Sequence, residues 1–113
     1  NEFIHQGSLK LKYDNTIFYI FTGTVVKRNT NNELSNSINI NIIAVMKIIE
    51  KILSFTNKPK ILFISSQDEY GDQKDWTEKC SCIPNSSYGI SKNTISQFLN
   101  SLSRNGFCEV IIL

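Results

Sequence analysis

Three short runs of apolar residues set what this chain can fold into: Ile17-Phe18-Tyr19-Ile20-Phe21, Ile61-Leu62-Phe63-Ile64 and Phe107 to Leu113. Each is rich in β-formers and continuous rather than alternating, the pattern of a strand buried on both faces. Between them lie two stretches of helical length. Ile38, Ile42, Val45, Ile49 and Ile52 recur at helical spacing across Ile38 to Phe55, a span too long for an ordinary strand. Its start, Ile38-Asn39-Ile40-Asn41-Ile42, alternates like a strand, but the longer period favours a helix capped near Ser35 or Ser37. Asn57-Lys58-Pro59 stops it. Ser87 to Ser103 forms the second helix, with Ile95, Phe98, Leu99 and Leu102 on one side, and Asn105-Gly106 ends it. Lys27 to Ser37 and Asp68 to Pro84 are polar and read as loops. The order strand, helix, strand, helix, strand predicts an α/β fold with a parallel sheet and crossover helices. Ligands on such sheets bind at the carboxyl ends of the strands, here Thr22-Gly23-Thr24 and Ser65-Ser66.

The chain has 113 residues, enough for one compact domain or part of a larger one, and 41% are hydrophobic, which argues against disorder. Its net charge of +2 is scattered, clustering only at Lys27-Arg28 and Lys58/Lys60, so no nucleic-acid partner is expected. Asn39, Asn41, Lys47, Glu50 and Lys51 interrupt the longest apolar stretch, so no membrane span is expected. Three cysteines, Cys80, Cys82 and Cys108, make no disulfide framework and fit a reducing, cytoplasmic setting. Together with His5 they match no common zinc spacing, and no metal site is expected. His5 to Lys12 reads as the tail of a helix and Asp14-Asn15 as a turn. The chain begins at Asn1 without a Met and ends on an uncapped apolar run, and the expectation is a chain cut at both ends.

Tyr88 and Lys92 stand four apart on the second helix, on one face, with the ammonium beside the phenol. A free phenol has a pKa of about 10, so about one in a thousand is ionised at neutral pH. A nearby cation lowers that value by roughly 1–3 units, which makes such a tyrosine a usable general base. Ser65 and Ser66, at the end of the second strand, add hydroxyls.

At these residues the chain resembles the extended short-chain dehydrogenases/reductases, specifically the NAD-dependent nucleotide-sugar epimerase/dehydratase family. The resemblance runs from about Ile17 to Leu113. Ile61 to Gly71 resembles the family's strand, Ser-Ser and Tyr-Gly, and Pro84 to Lys92 its Pro, Ser, Tyr-Gly and Ser-Lys signature. Asn41-Ile42-Ile43-Ala44-Val45 with Ile48-Ile49-Glu50 is similar to its Asn-Val-x-Gly-Thr and Leu-Leu-Glu. Tyr19 to Gly23 is similar to its apolar strand ending in His-Leu-Ala-Gly, with Ile20 in the histidine position.

The resemblance implies a Rossmann-type fold binding NAD or NADP, a nucleotide-sugar substrate, and a homodimer formed through helices 37–55 and 87–103. It implies that Tyr88 takes the proton from a sugar hydroxyl as hydride leaves the same carbon. Lys92 would lower the pKa of Tyr88 and bind the nicotinamide ribose, and Ser66 would hold the same sugar hydroxyl. Thr22, Gly23, Asn41 and Ser65 would line the cofactor, and Gln67 and Asp68 the substrate. Gln67 stands where the sugar dehydratases carry an acid, and Asp68-Glu69 is displaced by one residue, which points to an epimerase or 4-keto reductase. The family's Gly-x-x-Gly-x-x-Gly phosphate loop does not occur in the sequence. Residues 1–113 are therefore expected to be a partial dinucleotide fold, lacking that loop and the substrate lobe.

Other roles stay open for several of these residues. Ser65 and Ser66 also read as strand-end caps, Asn41 as a solvent-facing helix residue, and Gly23 and Gly71 as turn glycines. Asp68, Glu69, Asp72 and Asp75 read as a solvated acidic loop. Tyr70 and Trp76 either line a pocket or cover the core. The alternative to an enzyme is an inactive reductase-like interaction or dimerisation module.

Overall fold

The computed structural model describes residues 16–23, 31–72 and 77–113. The expected helix tail at His5–Lys12, the turn at Asp14-Asn15, Thr24, the Lys27-Arg28 pair, Asp75 and Trp76 lie outside them. Three strands, β1 (Ile17–Ile20), β2 (Lys60–Phe63) and β3 (Glu109–Ile112), form a parallel sheet in the order β1-β2-β3. Ile17 pairs with Lys60 and Lys60 with Glu109, so the three strands run in step. The pairing continues past the strand ends. Ile64 N–H donates to Ile20 O at 3.0 Å and Ser65 N–H to Leu113 O at 2.7 Å, which aligns the carboxyl ends of all three strands.

A long helical rod joins β1 to β2. It consists of α1 (Asn31–Ile38), a π-helical turn (Asn39–Ile43) and α2 (Ala44–Phe55). The rod starts earlier than the expected cap at Ser35 or Ser37. Ser37 is buried inside it, where its Oγ accepts from Asn41 Nδ2 at 3.0 Å. The part of Lys27 to Ser37 from Asn31 onward is therefore helix rather than loop, although its residues are weak helix formers. The rod ends at Thr56, whose backbone turns extended (φ −134°), and Lys58 then takes a positive φ of 45° before Pro59. After β2 the chain makes a short 3₁₀ turn (Gln67–Tyr70) inside the expected loop.

The third helix, α3 (Ser87–Arg104), joins this turn to β3. Ser86 caps its start, its Oγ accepting from Gly89 N–H at 3.0 Å. Its end is the expected glycine stop. Gly106 has φ 80°, Phe107 N–H donates to Leu102 O and Gly106 N–H to Ser103 O, each at 3.0 Å. Those two bonds are the Schellman pattern.

Both helical connections pack on one face of the sheet. The core consists of Ile20, Ile61, Phe63, Val45, Ile49, Ile52, Ile95, Leu99 and Cys108. Phe18, Val110 and Ile112 point the same way and pack against it. The residues between them, Ile17, Tyr19, Lys60, Glu109 and Ile111, are exposed, and Tyr19 and Phe21 stack their rings 6.0 Å apart on the open side. The expectation of strands buried on both faces does not hold among the described residues. Adjacent strand order with two crossovers of the same hand sends both connections over the same face. Phe98, expected on the buried side of its helix, is 49% exposed because Ile95 and Leu99 fill the contact. Among the described residues no helix is long and apolar enough to cross a membrane.

Candidate active site

The site is built where the carboxyl ends of β1 and β2 meet the first turns of α3. Lys92 sits on the second turn of α3, 3% exposed, and reaches under the sheet edge. Its Nζ donates to Thr22 O at 2.6 Å and to Ile64 O at 3.0 Å. One side chain thus ties α3 to both strand ends. The ammonium also lies 4.8 Å from the centroid of the Phe63 ring and 5.7 Å from that of Tyr88. Burial lowers the Lys92 pKa from its usual range, and the Glu69 carboxylate opposes that shift.

Two glycines permit this packing. A Cβ at Gly23 would stand 3.1 Å from Lys92 Cε, 3.2 Å from its Nζ and 3.3 Å from Tyr88 Cε2. A Cβ at Gly89 would stand 2.3 Å from the Asp68 carbonyl oxygen. The missing side chain at Gly89 therefore lets the 3₁₀ turn lie directly on the N-terminus of α3. That contact brings the segment carrying Ser66, Gln67 and Asp68 to the helix carrying Tyr88.

The sequence-derived residues separate into groups. Gly23, Tyr88 and Lys92 are in mutual contact, and Thr22 takes part through its carbonyl. Ser66 caps the 3₁₀ turn, its Oγ accepting from Asp68 N–H at 3.1 Å, so its structural role as a cap is real. Thr22 Oγ1 and Ser65 Oγ are buried with no hydrogen-bond partner among the described residues. Buried hydroxyls of this kind are normally satisfied; these two lie at adjacent strand ends, and Thr56 Oγ1, at the end of α2, is a third. Asn41 is buried in the π turn rather than facing solvent, bonded to Ser37 and packed in the segment that meets α3. Single π turns inside α-helices occur frequently at functional sites. Gln67 and Asp68 are exposed on the turn.

Two expectations need correction. Tyr88 was expected to have its pKa lowered by Lys92. Burial instead holds the phenol above its ordinary value, and the Asp68 carboxylate adds to this. The ammonium donates to two carbonyl oxygens and lies 5.7 Å from the centre of the Tyr88 ring. Glu69, expected in a solvated acidic loop, is 7% exposed, and Ser96 Oγ donates to its Oε1 at 2.5 Å. Sequence reasoning also missed Ser96. The signal available was its position four residues after Lys92, on the same helix face.

Comparison with known proteins gives this geometry a lineage. The profile of the NAD dependent epimerase/dehydratase family matches residues 13–113. No curated protein sequence matches the chain significantly. Among solved structures, UDP-glucuronic acid 4-epimerase from Bacillus cereus, in complex with UDP-glucuronic acid and NAD, superposes with a TM-score of 0.77 at 21% identity. The match covers 92% of this chain and 33% of that one. UDP-N-acetylglucosamine 4-epimerase from Methanobrevibacter ruminantium M1 superposes at 0.74 and 17% identity, covering 94% and 35%. RMD from Pseudomonas aeruginosa, complexed with NADPH, superposes at 0.75 and 16% identity, covering 85% and 34%. At such identities these likenesses establish the Rossmann-type fold, and the chain spans about a third of the length of the structures it matches.

The packing at Gly89 makes a prediction whose sign is unusual. Gly→Ala inside a helix ordinarily stabilises by about 1 kcal/mol. Gly89→Ala should destabilise instead, because the new methyl meets a backbone oxygen, and urea denaturation should show a lower midpoint than the parent. An unchanged or raised midpoint would mean that the turn does not rest on α3. By profile and fold, the chain belongs to the NAD dependent epimerase/dehydratase family.

Proposed function

We propose that these residues form the proton-handling part of the active site of an NAD- or NADP-dependent nucleotide-sugar epimerase or 4-keto reductase. The observation that carries this reading is the convergence of Tyr88, Lys92 and Gly23 at the carboxyl ends of β1 and β2. Membership of the family supports it. The local residues suit the nicotinamide half of a dinucleotide. They offer space in place of a side chain at Gly23, a fixed ammonium at Lys92, and two hydroxyls, at Thr22 and Ser65, without a partner among the described residues. Asn41, on the buried π turn, supports that wall. A bound nicotinamide supplies the hydride acceptor and donor. The sequence carries no Gly-x-x-Gly-x-x-Gly loop, so in this reading the pyrophosphate is held by residues beyond these 113.

Tyr88 Oη moves the proton. It takes one from a sugar hydroxyl when the carbinol carbon loses hydride, and returns one when the resulting carbonyl is reduced. Ser66 shares the hydrogen bond to that oxygen, and Gln67 and Asp68 face the sugar from the exposed side of the turn. With Gln67 where an eliminating acid would stand, the chemistry needs only hydride and one tyrosine proton, so dehydration is not proposed. The raised pKa of Tyr88 keeps the phenol protonated at neutral pH, the form that donates to a carbonyl. A cytoplasmic setting fits three free thiols.

Two experiments on the protein carrying this segment test the reading. Tyr88→Phe should remove at least about a hundredfold of turnover on a UDP-sugar with NAD while leaving the fold intact, the scale of a lost general acid–base. Near-normal turnover would sink the mechanism. The rate of alcohol oxidation should rise with pH, because the phenolate is the base. Asp68→Asn removes the charge that helps to raise the Tyr88 pKa, so that rise should move to lower pH. A shift to higher pH would contradict the assigned electrostatics.

The helical faces support a homodimer. Ile40, Ile43, Ile48, Ile90 and Phe98 are 40% to 51% exposed on the helices at 37–55 and 87–103. Pairing with a second copy would cover this apolar surface. Light scattering should report twice the chain mass at micromolar concentration, and a monomer there would remove the dimer from the account.

A further inference from the structure

We propose that Glu69 is a positioning residue of the Tyr88–Lys92 site. Through Ser96 it fastens the turn that carries Ser66 to the helix that carries Tyr88 and Lys92, and it holds a carboxylate at Ser96, one helical turn after Lys92. Glu69 is the only acidic side chain that is buried among the described residues. It lies on the 3₁₀ turn, 27 positions from its partner, so the bond from Ser96 Oγ at 2.5 Å joins two separate elements. Ser96 is itself 6% exposed, so the pair is sealed from water. A carboxylate removed from water is costly unless it is hydrogen-bonded and faces a cation. Ser96 supplies the first. Lys92, four residues before Ser96 on the same helix face, is the cation on which this carboxylate acts, through its field rather than through a direct ion pair.

The converse holds for the ammonium. Lys92 is 3% exposed and its two acceptors, Thr22 O and Ile64 O, are neutral. Among the described residues, the titratable groups acting around it are Tyr88 on its own helix and Glu69 on the turn, with Asp68 acting on Tyr88. The strand ends that pack on it contribute carbonyls and the Phe63 ring. Glu69 is therefore the anion that opposes the desolvation of Lys92. Burial raises Tyr70, on the same turn, and Cys82, on the loop that follows; Glu69 adds to both, behind Cys82 in the case of Tyr70.

The catalytic consequence rests on the reading of Tyr88–Lys92 given above, but the charge on Lys92 does not, so the test reads both. The Lys92 side chain is titrated by heteronuclear NMR in the parent protein, in Glu69→Gln and in Ser96→Ala, and turnover is measured alongside. In Glu69→Gln the Lys92 midpoint should fall, with its ionisation constant changed by at least about threefold. Ser96→Ala leaves the charge but frees the turn, and should shift the midpoint the same way by less. Turnover should fall in both without a matching rise in KM. An unchanged Lys92 midpoint in folded Glu69→Gln overturns the proposal. If that variant does not fold, an unchanged midpoint in Ser96→Ala overturns it. A shifted midpoint in a protein whose Tyr88→Phe variant stays active keeps Glu69 in place and removes the catalytic reading alone.

Discussion

The site depends on one buried cation. An ammonium withdrawn from water needs compensation, and Lys92 draws it from the carbonyl oxygens of Thr22 and Ile64 and from the field of Glu69. Those carbonyls lie just past the ends of two neighbouring parallel strands, where backbone acceptors no longer have ladder partners. The interaction therefore serves the fold and, in the proposed reading, the chemistry. It closes the open end of the sheet onto α3, and it fixes the helix phase that sets Tyr88 beside Gly23. Swapping Lys92 for an apolar side chain would leave two strand-end carbonyls buried without that donor.

Around this cation the chain achieves closeness by omission. Gly23 leaves out a methyl where Lys92 and Tyr88 pass, and Gly89 leaves one out where the Asp68 carbonyl rests on α3. The two omissions bring three segments that are distant in sequence to within contact. The turn they position carries both a capping serine and a buried acid. Ser66 faces outward from the cap, and Glu69 faces inward to Ser96. Neighbouring acids on one short turn thus act in opposite environments. Asp68 stays exposed and acts on Tyr88, while Glu69 is sealed beneath the helix and acts on Lys92.

Much of this was legible in the sequence, because it depends on local periodicity and short signatures. The three apolar runs became β1, β2 and β3, Pro59 and Asn105-Gly106 ended the helices, and the spacing of Tyr88 and Lys92 placed both on one helix. What sequence did not reveal depends on tertiary placement. An apolar run does not say which sheet face is covered, so Ile17 and Tyr19 read as buried and are exposed. Asn-rich residues before Ile38 have poor helix propensity, yet they are helix from Asn31 onward, in a segment that meets α3. An acid in an acidic loop reads as solvated, and nothing local shows that Glu69 meets Ser96 across 27 positions. Spacing alone suggested that Lys92 would acidify Tyr88. It could not show that two carbonyls would claim the ammonium and that Asp68 would act in the other direction.

Lys92 is a charged, immobilised bridge between β1, β2 and α3. Nitrogen-detected NMR of the lysine side chains at neutral pH can observe it. A resolved Lys92 ammonium signal is expected, slow to exchange with water, with hydrogen-bond scalar couplings to the carbonyl carbons of Thr22 and Ile64. A Lys92 signal averaged with the solvent-exposed lysines, without those couplings, would contradict the bridge.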